Sequence, residues 1–335
     1  MLKMWMHNNR HETIAPIGPM SNPPREKNTM MNTKYSRRQF LQQTTFAAGA
    51  LALAQEGCGS APPAAKRSAV DEVTLGKTGI KLSRLGMGLG TDSGNTQKDL
   101  GQDGLNKLVR YAYDQGIRYF DTGESYASFP MLADAIKGLP REKLFIQSKI
   151  DCKPADAAAD MVAVIDRQRK ILNTDYVDSM LIHCVVGAAW TDDFKRVMDG
   201  FDEAKAKKWI RAKGASFHSL AAQRAGVASH WAEVHLVRIN PQGVNVDVEQ
   251  GGYRNDHADI APTVAQLKNM RAKGRGVIGM KILGEGTFTD AADREKSIRF
   301  AMSRPELDAI VIGFKSTGEI DEAIQRINAA LAAPV

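Results

Sequence analysis

Ile117-Arg118-Tyr119-Phe120-Asp121-Thr122-Gly123-Glu124-Ser125-Tyr126 joins a short apolar run to an acidic residue and, five positions later, a tyrosine. The apolar part reads as a buried strand. A carboxylate at the end of such a strand loses its water, so it needs a cationic or hydrogen-bonding partner. The rest of the chain should therefore bring a cation to Asp121, close enough for Tyr126 to share it.

Working outward, strand-like runs recur over 85–90, 117–121, 144–149, 177–183, 210–216, 234–240, 276–282 and 309–313, with helical patterns such as 104–115, 155–172, 193–208 and 319–331 between them. Ahead of them, 73–82 reads as a hairpin with a Lys-Thr-Gly turn. Strand–helix alternation repeated eight times over roughly 250 residues predicts an α/β fold, a (β/α)8 TIM barrel with an N-terminal β-hairpin. A doubly wound open sheet is the alternative. It is disfavoured because no strand-to-helix turn carries a G-x-G-x-x-G fingerprint.

The chain has 335 residues, 43% hydrophobic and 25% charged, with a net charge of +7. Residues 1–38 hold seven basic residues against Glu12 and Glu26, a net of +5, which leaves only +2 (7 − 5) for the remainder. The basicity thus belongs to a leader, and a nucleic-acid-binding face is not indicated. Arg37-Arg38-Gln39-Phe40-Leu41, a short apolar run over 46–54 and Ala52-Leu53-Ala54 fit a twin-arginine signal peptide over 1–54, with Met30 or Met31 as alternative starts. A linker over 55–71 and a barrel over 72–335 would follow. The expected partner is the twin-arginine export machinery and the expected location the periplasm or cell envelope. Cys58 after Gly57 offers a lipid anchor, and with it membrane attachment, as an alternative to simple cleavage after Ala54. Cys152 and Cys184 are the other two cysteines. They form neither a CxxC nor a ligand cluster, so no metal site is expected. In an oxidising compartment they could pair if their Cα atoms came within ~4.4–6.8 Å.

In a barrel of this kind, function gathers at the C-terminal ends of the strands. Five consecutive predicted strands end in Asp121, Ser148-Lys149, His183, Ser216 and Asn240. Each has a bland reading as a cap, a rim charge or a satisfied core group. Five at one mouth indicate a site. Lys149 can answer Asp121, and a desolvated ammonium beside Tyr126 should lower a phenol value that starts near ~10. Tyr126 then serves as general acid or base, with His183 orienting the substrate oxygen or sharing the proton. A proton donor without a nucleophile or metal implies that the attacking group is brought in, and hydride is the obvious candidate.

These residues resemble the aldo-keto reductase superfamily from Glu72 to the C-terminus. Leu75-Gly76-Lys77-Thr78-Gly79 and Leu85-Gly86-Met87-Gly88 are similar to its opening hairpin and first strand. Asp121, Tyr126, Lys149 and His183 stand at its catalytic tetrad. The resemblance implies interconversion of a small-molecule carbonyl and an alcohol with NADP (as NADPH) or NAD, without a metal. It further implies that Gly90 and Thr91 approach the nicotinamide, that Ser216 binds its carboxamide with His218 close by, and that Met280, Lys281 and Leu283 line the ring's side. Gly313, Lys315, Ser316 and Thr317 would hold the adenosine phosphate. Leu236, Ile320 and Ala323 replace polar residues common in relatives, so the cradle departs from the family pattern more than the tetrad does.

Cys184-Val185-Val186-Gly187-Ala188-Ala189-Trp190 could form an apolar wall, and the long 241–259 segment suits a lid or a surface excursion. Two other functions stay open: a barrel kept as a binding or partner protein, and a Schiff-base lyase acting through Lys149 or Lys281.

Overall fold

A computed structural model describes residues 67–151, 160–252 and 257–333. The proposed signal peptide, Cys58 and Cys152 lie outside the described residues. Ten strands are present among the described residues. β1 (Glu72–Thr74) and β2 (Lys81–Ser83) form the expected antiparallel hairpin. β3 (Leu85–Gly88), β4 (Tyr119–Asp121), β5 (Phe145–Ile150), β6 (Val177–Val185), β7 (Ile210–Phe217), β8 (Val234–Arg238), β9 (Gly276–Met280) and β10 (Ala309–Gly313) form a closed parallel barrel. The ring is sealed by β10 against β3, where Ile310 pairs with Leu85.

Both faces of a parallel barrel strand are covered, which is why these strands read as apolar runs without alternation. Two cores result. One lies between barrel and helices. The other fills the interior, where Tyr119, Phe145, Leu181, Val234, Ile278 and Val311 meet Leu75, Ile80 and Leu82 of the hairpin. Each of these hairpin side chains is at most 4% exposed, and such burial contributes about 1.5–3 kcal/mol per residue. The hairpin is thus a plug at the N-terminal end. Its Lys77 N–H donates to Gly274 O at 2.9 Å and its Gly76 N–H to Asp308 Oδ2 at 3.0 Å. The polar strand ends gather at the opposite, C-terminal mouth.

The segment read as linker already belongs to the barrel at Ala69, which is fully buried and donates its N–H to Asn328 Oδ1 at 2.7 Å. Helices Gly101–Asp114, Lys195–Ala206 and Thr317–Ala332 lie where periodicity places them, and Met161–Ile171 falls within the 155–172 pattern, of which 155–159 lie outside the described residues. Asp160, Ser219, Asp290 and Ser316 each accept a backbone N–H as helix N-caps. No helix among the described residues is long and apolar enough to cross a membrane.

Candidate active site

β4 and β5 run in parallel with Asp121 opposite Gln147. Lys149 lies two residues further along β5 and so projects from the same face, one level higher. Its Nζ donates to Asp121 Oδ1 at 2.8 Å, to Asp121 Oδ2 at 2.7 Å and to Thr122 O at 2.7 Å. An ammonium has three N–H donors, and all three are engaged. Asp121 also accepts from Gln147 Nε2 at 2.7 Å, and Gln147 in turn donates to the Tyr119 hydroxyl at 2.9 Å. Lys149 and Asp121 thus form a buried pair, and Gln147 and Tyr119 support it from below.

Tyr126 is set by a turn in which its N–H bonds Gly123 O at 3.0 Å. Its ring stands 4.8 Å from Lys149 Nζ, and its hydroxyl 3.4 Å from His183 Nε2. Gly90 closes the other side; a Cβ there would come within 2.4 Å of the phenol ring. The predicted lowering of Tyr126 is not what this geometry gives. Burial, followed by the charges of Asp121, Cys184, Asp151 and Glu285, pushes the phenol well above its ordinary value. The Lys149 charge near the ring is paired with Asp121 and does not outweigh that burial. Lys149 itself is lowered, because burial outweighs the help of Asp121. Burial at this position thus favours the neutral phenol.

β6 continues two residues beyond the predicted end. Cys184, which follows His183, takes a left-handed conformation with φ 56°. Its N–H donates to Ser216 Oγ at 2.9 Å, and its Sγ lies 3.6 Å from His218 Nε2. Cys184 is a free thiol, and burial pushes it up to about 11, so it is not poised as a nucleophile. Burial, with the charges of Arg238, His183 and Lys281, takes His218 well below its ordinary value and keeps it neutral.

From the tyrosine a groove of about 970 Å³ runs across the mouth to the start of the Thr317–Ala332 helix. Among the residues expected there, Gly90, Thr91, His218, Met280, Lys281, Leu283, Gly313 and Lys315 line it, as do Asp121 and Tyr126. Ser216, Ser316 and Thr317 do not. The Ser216 hydroxyl is turned to the Cys184 N–H, and the Ser316 hydroxyl caps the helix by accepting from Glu319 N–H at 3.3 Å. Lys149 and His183 stand behind Tyr126 rather than in the groove wall. Gly313 closes on Thr91 so tightly that a Cβ would sit 1.9 Å from Thr91 Oγ1.

Several contributors were not read from the sequence. Glu285 lines the groove and holds Lys281 Nζ at 2.5 Å. Asp151 bonds the His183 Nδ1. Beneath the 241–259 segment, Arg238 donates to Asp247 at 2.5 Å with both side chains fully buried. This pair ties the segment to the barrel, so its near half is anchored structure and not a loose surface excursion.

Charged side chains gather at the groove's far end. Lys315 Nζ lies 4.0 Å from Glu319, while Arg294 and Arg326 both reach Glu322 at 2.8 Å. The Glu319 carboxylate also accepts the Lys315 backbone N–H at 2.8 Å. The groove thus combines Ile282 and Leu283 with a terminal set of charged groups.

The pattern of the aldo/keto reductase family matches residues 84–333. "Probable aldo-keto reductase 1" of Glycine max is 29% identical over 231 residues, covering 65% of this chain and 61% of its own. The "9,11-endoperoxide prostaglandin H2 reductase" of Trypanosoma cruzi is 26% identical over 141 residues, covering 41% of this chain and 45% of its own. The chain thus spans about three-fifths or less of the length of these curated relatives. The holo form of an aldo-keto reductase from Bacillus halodurans superposes with a TM-score of 0.61 at 16% identity, covering 79% of this chain and 92% of that one. A Pseudomonas aeruginosa protein named as an aldo-keto reductase gives 0.63 at 19%, covering 79% and 97%. At these identities the two structures speak for the barrel alone. The family's pattern covers well over half of the sequence, and the chain therefore belongs to the aldo/keto reductase family.

Proposed function

We propose that the protein is a nicotinamide-dependent oxidoreductase that interconverts a small carbonyl compound and its alcohol, with Tyr126 as general acid or base. The observation that carries this is the Tyr126 hydroxyl, which stands at the end of the groove and 3.4 Å from His183 Nε2. A bound dinucleotide supplies the hydride. Every other step belongs to the chain. Tyr126 gives its proton to the carbonyl oxygen in reduction and recovers it in oxidation. Lys149 and Asp121 fix the ring's surroundings by a charge pair that does not itself transfer protons. Gly90, Thr91 and Met280 are placed to hold the nicotinamide end, and Lys281 with Glu285 the middle.

NADPH differs from NADH by a 2′-phosphate, which needs cations to offset it. Lys315 is shared with Glu319, and Arg294 and Arg326 with Glu322. The far end thus weighs toward NADH, against the preference implied by Lys315 and Ser316 alone. Neither Schiff-base lysine is favoured. Lys149 has all three donors engaged, and Lys281 is paired with Glu285.

Titration of the purified protein with NADH and NADPH, followed by tryptophan fluorescence, tests the proposal. Quenching by at least one of them below millimolar concentration is expected, and no quenching by either would leave a binding or partner protein as the better reading. Tyr126→Phe should abolish carbonyl turnover while cofactor binding persists. We further propose export by the twin-arginine route to the periplasm or cell envelope, supported by Arg37-Arg38 and the 46–54 apolar run. Replacing both arginines by lysine should retain the protein in the cytoplasm on fractionation, and unchanged export would defeat this part.

A further inference from the structure

Asp151 follows the last residue of β5, and His183 stands on β6. The register pairs Lys149 with Leu181 and Ile150 with Ile182, so the next step sets Asp151 beside His183. Period-2 alternation puts Asp151 on the same face as Lys149. The contact is made: Asp151 Oδ1 meets His183 Nδ1. On the opposite edge of the same ring, Nε2 faces the Tyr126 hydroxyl at 3.4 Å, and the two rings meet edge to face at 5.5 Å. Ser125, next to the tyrosine, also bonds the Asp151 carboxylate. Asp151 is 46% exposed whereas His183 is 11% exposed. A line of groups therefore runs from solvent-facing carboxylate to ring to phenol.

We propose that Asp151 is a positioning residue that fixes His183 with Nδ1–H on the carboxylate and Nε2 toward Tyr126, making the imidazole the group that restores the proton to the tyrosine. This rests on the reading of Tyr126 as the proton donor. Hydride from the nicotinamide reduces the carbonyl carbon, and the nicotinamide is oxidised. The Tyr126 O–H bond breaks as the alcohol O–H forms, leaving a phenolate. The His183 Nε2–H bond then breaks as the phenol re-forms, and the ring is left neutral with its Nδ1–H still on Asp151. Water returns a proton to Nε2.

A carboxylate beside an imidazole favours the charged ring, and a hydrogen bond at one nitrogen settles what the other presents. The carboxylate is ionised for this work: burial raises it, but the bond and charge of His183, the Ser125 bond and the Lys149 charge together hold it below its ordinary value. The other titratable groups around the ring are Tyr126 and Lys149 on the β4–β5 side, and Cys184 and His218 on the β6–β7 side. Cys184 is a neutral thiol and His218 a neutral ring, so Asp151 is the anion that meets the imidazole directly.

Asp151→Asn keeps the shape and removes the charge. The ring titration of His183, followed by proton NMR and assigned with His183→Gln, should move to lower pH by about one unit or more in the Asn variant. The acid-side limb of the kcat profile for carbonyl reduction should move with it, with KM and cofactor quenching unchanged. A His183 midpoint that stays in place overturns the proposal and leaves the proposed reaction standing. A shifted midpoint together with full turnover by Tyr126→Phe removes the reaction, and the relay fails with it. A fall in kcat that is the same at every pH also overturns it, since it would mean structural support alone.

Discussion

Gly90 and the Tyr126 ring are in such close contact that a Cβ at position 90 would lie 2.4 Å from both Cε2 and Cζ of the phenol. The tyrosine is thus placed as much by a missing side chain as by the groups that surround it. Gly90→Ala must push the ring or the loop aside. Misplacement by about 1 Å can lower turnover on the order of a hundredfold. We expect a loss of that size in kcat, with an unchanged far-ultraviolet circular dichroism spectrum. An Ala variant as active as the parent would show that the ring position is not critical.

The Lys149–Asp121 pair gives a prediction about stability. Both are buried, at 1% and 8% side-chain exposure. Removing one partner from a buried pair strands the other, at a cost of about 3–5 kcal/mol. Lys149→Met should show this in guanidinium unfolding. Replacing both residues, Lys149→Met with Asp121→Asn, should recover part of it, because no charge is then left uncompensated. A double variant as unstable as the single one would contradict the pairing argument.

Acid should weaken the fold through its buried histidines. His235, on β8, is fully buried, and burial with the Arg275 charge lowers it to about 3 from 6.5. A depressed folded value means that the unfolded chain binds the proton more readily. The contribution is therefore intact above pH 6.5 and is lost as pH falls toward 3, at up to about 1.4 kcal/mol per unit. His218 acts in the same direction. Asp247 acts oppositely: burial raises it to about 6 despite Arg238, so its stabilisation is full below 3.8 and lost as pH rises through 6. Denaturant midpoints measured from pH 7 to pH 3.5 should fall, and His235→Leu should make the fall shallower. An unaltered slope would locate acid sensitivity elsewhere.

Cofactor choice turns on Glu319. Its carboxylate takes the Lys315 N–H and sits 4.0 Å from the Lys315 ammonium. Glu319→Gln removes the competing charge and should raise NADPH affinity severalfold by fluorescence titration, while NADH affinity stays within twofold. Equal changes for both dinucleotides would show that Glu319 shapes the groove without sensing the phosphate.

What could be read in advance follows from which interactions are local. The run ending at Asp121 is a buried parallel strand, and its apolar residues announce it. Asp121, Tyr126 and Lys149 were legible because a charge at a strand end needs an explanation. Asp151 is harder to read, because the apolar pattern ends the third strand at Lys149 whereas β5 extends to Ile150; one further step of alternation sets it level with His183. The hydroxyl oxygens of Ser216 and Ser316 accept the N–H groups of Cys184 and Glu319, and such pairings are visible only when the chain is folded. The pairing of Arg294 and Arg326 with Glu322 joins two helices, and helical periodicity says nothing about which charges will meet.

The seal between β10 and β3 has a consequence for biosynthesis. Ile310 and Leu85 are partners, yet nearly all the intervening chain must be made before they can meet. Until then β3 and β9 present bare backbone edges, which invite mispairing. Closure is therefore a late event, set by the last strand to emerge, and folding chaperones have their greatest opportunity before it occurs.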